Sequence, residues 1–272
     1  MIVVSIITPT YNRCTLLSEN IASVICQKYR QIEHVIIDNL SSDGTNKIVE
    51  RYRAEAPYSV TYIREHDEGI YNAMNKGIRA AAGKWLLFLG SDDRLIDQYI
   101  LRNIFSAKKL PDKVELLAGG VLFGKVREAS KYYPSYYDKR LRYHAFQHQG
   151  SFIRKSIFER FGLYNERFRI AADGVFNGRF YHKVEYMILD FPVAWSLPGG
   201  ASGEYNLRNI WEYAVTSFLY RKFPVSKKAE YALELMKAIV REVIGLAARS
   251  GIVKWLRKNK SKCGIQRVKK DD

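Results

Sequence analysis

Asp92 and Asp93 close the apolar run WLLFLGSDD (Trp85–Asp93), and two adjacent carboxylates at the end of a buried strand can hold a cation. Their hard oxygens suit Mg²⁺ or Mn²⁺, ions that keep several waters and complete their coordination with substrate phosphates. The pair has a second reading, an Asp-Asp turn or helix N-cap ahead of Arg94-Leu95-Ile96, and these residues alone do not choose. Asp38 ends another short apolar segment, where a carboxylate can accept a hydrogen bond from a ligand N–H, as a base-recognition group would. Helix capping accounts for Ser42, Asp43 and Gly44 just beyond it, but not for Asp38 itself. A third acidic turn, Asp67-Glu68-Gly69, follows the next strand-like segment.

The elements that must position these acids alternate along the first hundred residues. Val3–Thr8, His34–Asp38, Val60–Arg64 and Trp85–Leu89 read as strands. Leu16–Cys26, Thr45–Tyr52 and Tyr71–Ala82 carry helical spacing, with Gly83 as a C′ residue for the last. Strand and helix at this spacing imply parallel strands with right-handed crossovers in a doubly wound α/β sheet, whose carboxyl edge is the ligand-binding edge. Three successive strand ends then deliver carboxylates to one rim.

After Lys113 the pattern changes. Val114–Leu117 and Val121–Val126 read as two strands separated by Gly119-Gly120, and Tyr132–Tyr143 as a Tyr- and Arg-rich loop or lid. Ser156–Phe161 and Gly174–Tyr181 are short helices, Glu185–Leu189 is a strand, and the chain from Asn209 onward is helical.

Charge is unevenly placed over the 272 residues. The net formal charge is +16, of which residues 207–272 carry +10, from 16 Lys/Arg against 6 Asp/Glu. Three scattered cysteines without a C-x-x-C pair point to neither a zinc site nor a disulfide framework, which fits a reducing cytosol. The first residues read as a strand and not a signal peptide, and no apolar run approaches the ~18 residues of a membrane span. A dinucleotide-dependent oxidoreductase is disfavoured because the first strand leads into Thr-Pro-Thr-Tyr-Asn and not Gly-x-Gly-x-x-Gly. An acidic rim would repel phosphate unless a metal intervened, so no nucleic-acid partner is expected.

The strings TPTYNR (Thr8–Arg13), DNLSSDGT (Asp38–Thr45) and DEGIYNAMNKGIRAAAGKWLLFLGSDD (Asp67–Asp93) together resemble the nucleotide-binding half of the family 2 glycosyltransferases, which have the GT-A fold. Weaker echoes run through His148–Asp173 and Pro198–Glu204, and GIYNAMNKG resembles the branch that assembles bacterial capsule, exopolysaccharide and O-antigen. The resemblance implies a GT-A domain over residues 1–206, with 1–100 binding nucleotide sugar and 101–206 binding acceptor, and a basic amphipathic helical region over 207–272.

It places Thr8, Pro9 and Tyr11 in the nucleotide pocket, Asp38 on the base (usually uracil) and Asp67 along the same pocket. Asp92 would meet the ribose or metal region, and Asp93 would be the more direct ligand of a Mn²⁺ or Mg²⁺ ion bridging the diphosphate. Asp173 falls where the family carries its general base, although a helix N-cap ahead of Gly174–Phe180 is a second role for it. His148 is a candidate acceptor or diphosphate contact. Two departures stand out: Ala172-Asp173-Gly174 where relatives often have Asp-Tyr-Asp or Glu-Asp, and Tyr71-Asn72-Ala73 where they often have Tyr-Asp-Ala.

The implied reaction is an inverting, metal-dependent transfer from a UDP-sugar to a hydroxyl of a glycan or lipid-linked acceptor in surface polysaccharide synthesis. A cation at the leaving phosphate lowers the barrier, and a carboxylate takes the acceptor proton. The alternative is an inactive GT-A domain that binds carbohydrate or acts as a scaffold. Lys254-Trp255-Leu256-Arg257-Lys258 suits a membrane interface, so the protein is expected at the inner face of the cell membrane. Truncation after Asn206 or Ser226 is expected to lower membrane recovery and spare donor binding.

Overall fold

The computed structural model describes residues 1–106, 110–124, 131–138, 143–197 and positions 208, 209, 211, 212, 229, 232, 233, 236 and 237. Four parallel strands lead: β1 (Val4–Thr10), β2 (Ile32–Asp38), β3 (Ser59–Arg64) and β4 (Trp85–Phe88), separated by α1 (Cys14–Ile25), α2 (Thr45–Glu55) and α3 (Ile70–Ala80). Then come β5 (Asp93–Leu95), α4 (Ile100–Phe105), β6 (Val114–Phe123), β7 (Lys131–Tyr133), β8 (Tyr136–Asp138) and β9 (Tyr143–Ala145). β10 (Ser151–Arg154), α5 (Lys155–Phe161), α6 (Ala172–Phe180) and β11 (Glu185–Ser196) complete the described elements. The main sheet runs β3-β2-β1-β4-β10-β6-β11-β5, with β7 on β6. β10 is antiparallel to both of its neighbours, which makes the sheet mixed.

Every residue of β1 and β2 is buried, as expected of central parallel strands covered on both faces. Neighbouring residues serve opposite faces: Ile6, Leu87 and Phe152 pack on one side, and Ile7, Phe88 and Ile153 on the other. α3 lies hard against β1, since a Cβ on Gly77 would sit 2.4 Å from Ile7 Cγ2. That contact sets the height of α3 over the sheet edge, and with it Ile70 and Tyr71 at the start of the helix.

Several expectations need correction. Gly119 and Gly120 do not separate two strands; β6 runs through both. Their role is close approach, because a Cβ on Gly119 would meet Val193 at 2.4 Å, and one on neighbouring Gly150 would meet the Gly119 carbonyl at 2.5 Å. Tyr132–Tyr143 is not a plain loop, since β7 pairs with β6 and β8 pairs with β9. Gly83 is no helix C′ residue: α3 ends at Ala80, and a Cβ on Gly83 would stand 2.5 Å from Ser5 Oγ. Pro198–Glu204, Lys139, Arg140, Arg142 and Lys254–Lys258 lie outside the described residues. Among the described residues no helix is long and apolar enough to cross a membrane.

Candidate functional site

A cavity of about 620 Å³ opens at the carboxyl edge of β1, β2, β3 and β4. The β1 end contributes Pro9, Thr10 and Tyr11; the β2 end Asn39; the turn after β3 Asp67 and Glu68; the β4 end Gly90, Ser91 and Asp92. Ile70 and Ala73 of α3 form part of the floor, and Arg169, Ile170, Arg208 and Asn209 close the far wall. The order of the strands thus brings together residues from four segments of the chain, as the position of the rim requires.

Two loops are latched to shape the first wall. Asn12 Oδ1 accepts the Ser42 N–H at 2.8 Å, the Asn12 N–H donates to Ser41 Oγ at 2.8 Å, and the Cys14 N–H donates to Asp43 Oδ2 at 2.7 Å. Asn12 (φ 49°) and Leu40 (φ 55°) both sit in the left-handed region, common for Asn and costly for Leu. Tyr11, 58% exposed, is left standing over the cavity as a flat aromatic face. Thr10 lines the same wall, and its buried Oγ1 has no hydrogen-bond partner among the described residues.

Thr8 is not a pocket residue. Its hydroxyl donates to the Leu89 carbonyl at 2.7 Å and so receives His34 Nε2–H at 2.9 Å; His34 Nδ1 meets Tyr52 at 3.0 Å, and Tyr52 meets Tyr58 at 2.8 Å. Burial pushes His34 down to about 3, so the imidazole is neutral and the chain runs in one direction through the core.

Asp38 also turns away from the cavity. It is fully buried; Oδ1 accepts the Ser41 N–H at 3.0 Å and the Ser41 hydroxyl, while Oδ2 accepts Tyr62 O–H at 2.7 Å and lies 3.5 Å from Arg64 Nε. The carboxylate that was expected to meet the base instead builds the turn. Its neighbour Asn39 reaches the cavity. Asn39 Oδ1 accepts the Asp67 N–H at 2.7 Å, which fixes the amide and leaves Nδ2 as the group for a ligand.

Asp67 lines the cavity as expected and is held by Lys76 Nζ at 2.7 Å, which also meets Glu65 at 2.9 Å. Lys76 is therefore the counter-charge of Asp67. Asp92 stands at the cavity wall and Asp93 does not. Asp93 opens β5, is 3% exposed, and accepts the Gly90 N–H at 2.8 Å with further help from Ser196. Burial and the adjacent Asp92 charge push its carboxyl up to about 7. Within the pair, Asp92 lines the cavity, whereas Asp93 is buried and ties β5 to the Gly90 turn.

Beyond Ile70 the cavity gives way to a second polar cluster. Asp173, in the first turn of α6, accepts Tyr71 O–H at 2.8 Å. Burial, the charge of Asp173 and that hydrogen bond keep Tyr71 protonated, well above the usual phenol range. His148 stacks on Phe88 with centroids 5.0 Å apart, and its Nε2 lies 3.0 Å from Tyr164 O–H. Burial lowers the His148 imidazole, partly offset by the Asp173 charge, so His148 is a neutral neighbour of the carboxylate. The Asn72 departure finds its reason nearby: Asn72 Nδ2 donates to Glu166 Oε2 at 2.8 Å and Asn75 Nδ2 to Glu166 Oε1 at 2.7 Å. Two amides can donate to Glu166 where an Asp at 72 would repel it. They lower its pKa below the ordinary carboxyl value and tie the chain ahead of α6 to α3.

Among the described residues no three His, Cys, Asp or Glu side chains cluster as a complete metal cage. A single carboxylate beside a polar cavity still fits Mg²⁺ or Mn²⁺, which use one or two protein carboxylates and take the rest from phosphate and water. Sequence reasoning missed Asn39, Tyr71, Arg169 and Arg208. Tyr71 could have been found in GIYNAMNKG as the residue flanking the cavity helix start; Arg208 carries no local signal.

Comparison with known proteins agrees with this architecture. The model of the family described as Glycosyl transferase family 2 matches residues 5–183. A PGL/p-HBAD biosynthesis glycosyltransferase of Mycobacterium bovis is 32% identical over 177 residues, which cover 64% of this chain and 68% of that protein. The S. aureus TarS 1–349 structure in complex with UDP-GlcNAc has a TM-score of 0.63 at 17% identity, covering 95% of this chain and 78% of the other. The mannosyltransferase PcManGT from Pyrobaculum calidifontis, in complex with GDP-Man and Mn²⁺, has a TM-score of 0.62 at 16% identity, covering 94% and 82%. The mixed α/β fold is that of the GT-A glycosyltransferases.

Proposed function

The chain belongs to glycosyl transferase family 2 and is a glycosyltransferase, and from that premise we propose that it moves a sugar, with inversion, from a UDP-sugar to a hydroxyl of a glycan or lipid-linked acceptor. The observation that carries this reading is the convergence of Tyr11, Asn39, Asp67 and Asp92 on one cavity, with Asp173 held by Tyr71 just beyond it. Tyr11 offers a stacking face to the base. Asn39 Nδ2 suits a uracil carbonyl.

Asp92 would hold the divalent cation together with the donor diphosphate. When bound, that ion neutralises charge growing on the leaving phosphate. On the acceptor side, Asp173 takes the proton of the attacking hydroxyl, and Tyr71 fixes the orientation of the carboxylate. A single displacement opposite the leaving group inverts the anomeric centre, so an α-linked donor yields a β-linked product. The string GIYNAMNKG supports an acceptor in bacterial surface polysaccharide synthesis.

The test is a panel of UDP-, GDP- and dTDP-sugars incubated with the full chain and Mn²⁺ or Mg²⁺, with release of nucleoside diphosphate followed. At least one UDP-sugar is expected to turn over faster than every GDP- and dTDP-sugar. Preference for a GDP- or dTDP-sugar contradicts the base assignment, and no release from any donor contradicts the donor reading.

A further inference from the structure

The far wall of the cavity comes from a part of the chain outside the stretch that matches the family. Residues 5–183 carry that match, yet Arg208 and Asn209 line the cavity. Four residues beyond Arg208, Glu212 is 1% exposed, and a buried carboxylate requires partners. It accepts the Arg169 N–H at 2.8 Å on both oxygens and the Ile170 N–H at 2.8 Å. These bonds to an ionised acceptor are of the stronger kind, and they grip the backbone three residues ahead of Asp173. α6 has no side-chain cap of its own, so a negative charge close to its start is also favourable.

Arg208 lies four residues before Glu212 and touches it through Nε at 3.4 Å. It is 53% exposed at the side chain, and its terminal nitrogens make no bond among the described residues. Arg13 and Arg169 line the cavity as well. The acids facing them are Asp67, Glu68 and Asp92, and Asp67 is already countered by Lys76. Guanidinium is the side chain best shaped to take two phosphate oxygens at once.

We propose that Arg208 and Glu212 belong to the donor site: Arg208 contacts the diphosphate of the nucleotide, and Glu212 is the positioning residue that holds Arg169 and Ile170, and through them the approach to Asp173. The inference rests on reading the cavity as a nucleotide-sugar site. On this proposal, truncation after Asn206 weakens donor binding as well, because that cut removes part of the cavity wall.

The experiment is titration calorimetry of UDP and of uridine, each with Mn²⁺, on the full chain, Arg208→Gln and Arg208→Lys, with steady-state kinetics of Glu212→Ala and Glu212→Gln. Arg208→Gln is expected to weaken UDP on the order of tenfold while leaving uridine unchanged, since a hydrogen bond to a charged group is lost only from the phosphate. Arg208→Lys should recover part of the loss. Glu212→Ala should lower kcat more than it raises donor KM, with Glu212→Gln intermediate because one oxygen still accepts. Unchanged UDP affinity in Arg208→Gln, or equal weakening of UDP and uridine, overturns the phosphate contact while the donor reading stands. A wild-type chain that binds neither UDP nor uridine overturns both.

Discussion

Asp173→Asn is expected to lower kcat for sugar transfer on the order of 10²–10⁴-fold, the usual worth of a general base, with donor affinity unchanged. Asparagine keeps the shape of the side chain and an oxygen that can accept Tyr71 O–H, so α6 and the cluster around it are preserved. What it loses is the ability to take a proton. Tyr71, His148 and Tyr164 cannot replace it: both phenols are held far above the usual range by burial, and the imidazole already meets Tyr164. Initial rates with saturating donor, alongside UDP titration, separate the two effects. A kcat within a few-fold of wild type would mean that another group carries the proton and that Asp173 serves only the first turn of α6.

The second large effect separates the two adjacent acids. Asp92→Asn is expected to lose the stimulation of transfer by Mn²⁺ and to cost on the order of 10²–10³-fold in kcat, comparable to removing one preorganised electrostatic contact to the developing charge. Asp93→Asn should act chiefly on folding. Its carboxylate receives the Gly90 N–H and Ser196 inside the protein, and replacing one oxygen by an amide there costs about 1–3 kcal/mol. Urea unfolding of both variants and the Mn²⁺ dependence of transfer read these outcomes directly. Loss of metal stimulation in Asp93→Asn, with Asp92→Asn retaining it, contradicts the assignment.

The frame of the site was legible because it depends on local patterns. Apolar runs bounded by turn residues placed β1 to β4 and the helices between them to within a few residues, and parallel order then required the strand ends to share a rim. Tyr11, Asp67 and Asp92 line the cavity, as that order requires. Thr8, Asp38 and Asp93 were each placed one or two residues from the side chain that faces the cavity, and the reason is common to all three. At a strand end, which polar residue points out depends on partners distant in sequence: His34 for Thr8, Tyr62 and Arg64 for Asp38, and Ser196 for Asp93.

Glycines misled in a similar way. Gly119 and Gly120 suggest a turn, but Val193 and Gly150, far along the chain, demand the space a side chain would fill. The contribution of Arg208 and Glu212 has no local signal at all, because Glu212 acts on the backbone of Arg169 and Ile170, more than forty residues earlier.

The central claim, that this cavity binds a nucleoside diphosphate with its metal at Asp92, is tested most directly by an anomalous-difference map from crystals grown with UDP and Mn²⁺. A manganese peak beside Asp92, with the base against Tyr11 and Asn39, is the predicted result. A nucleotide bound outside this cavity, or manganese held by Asp93 with Asp92 turned away, would contradict it.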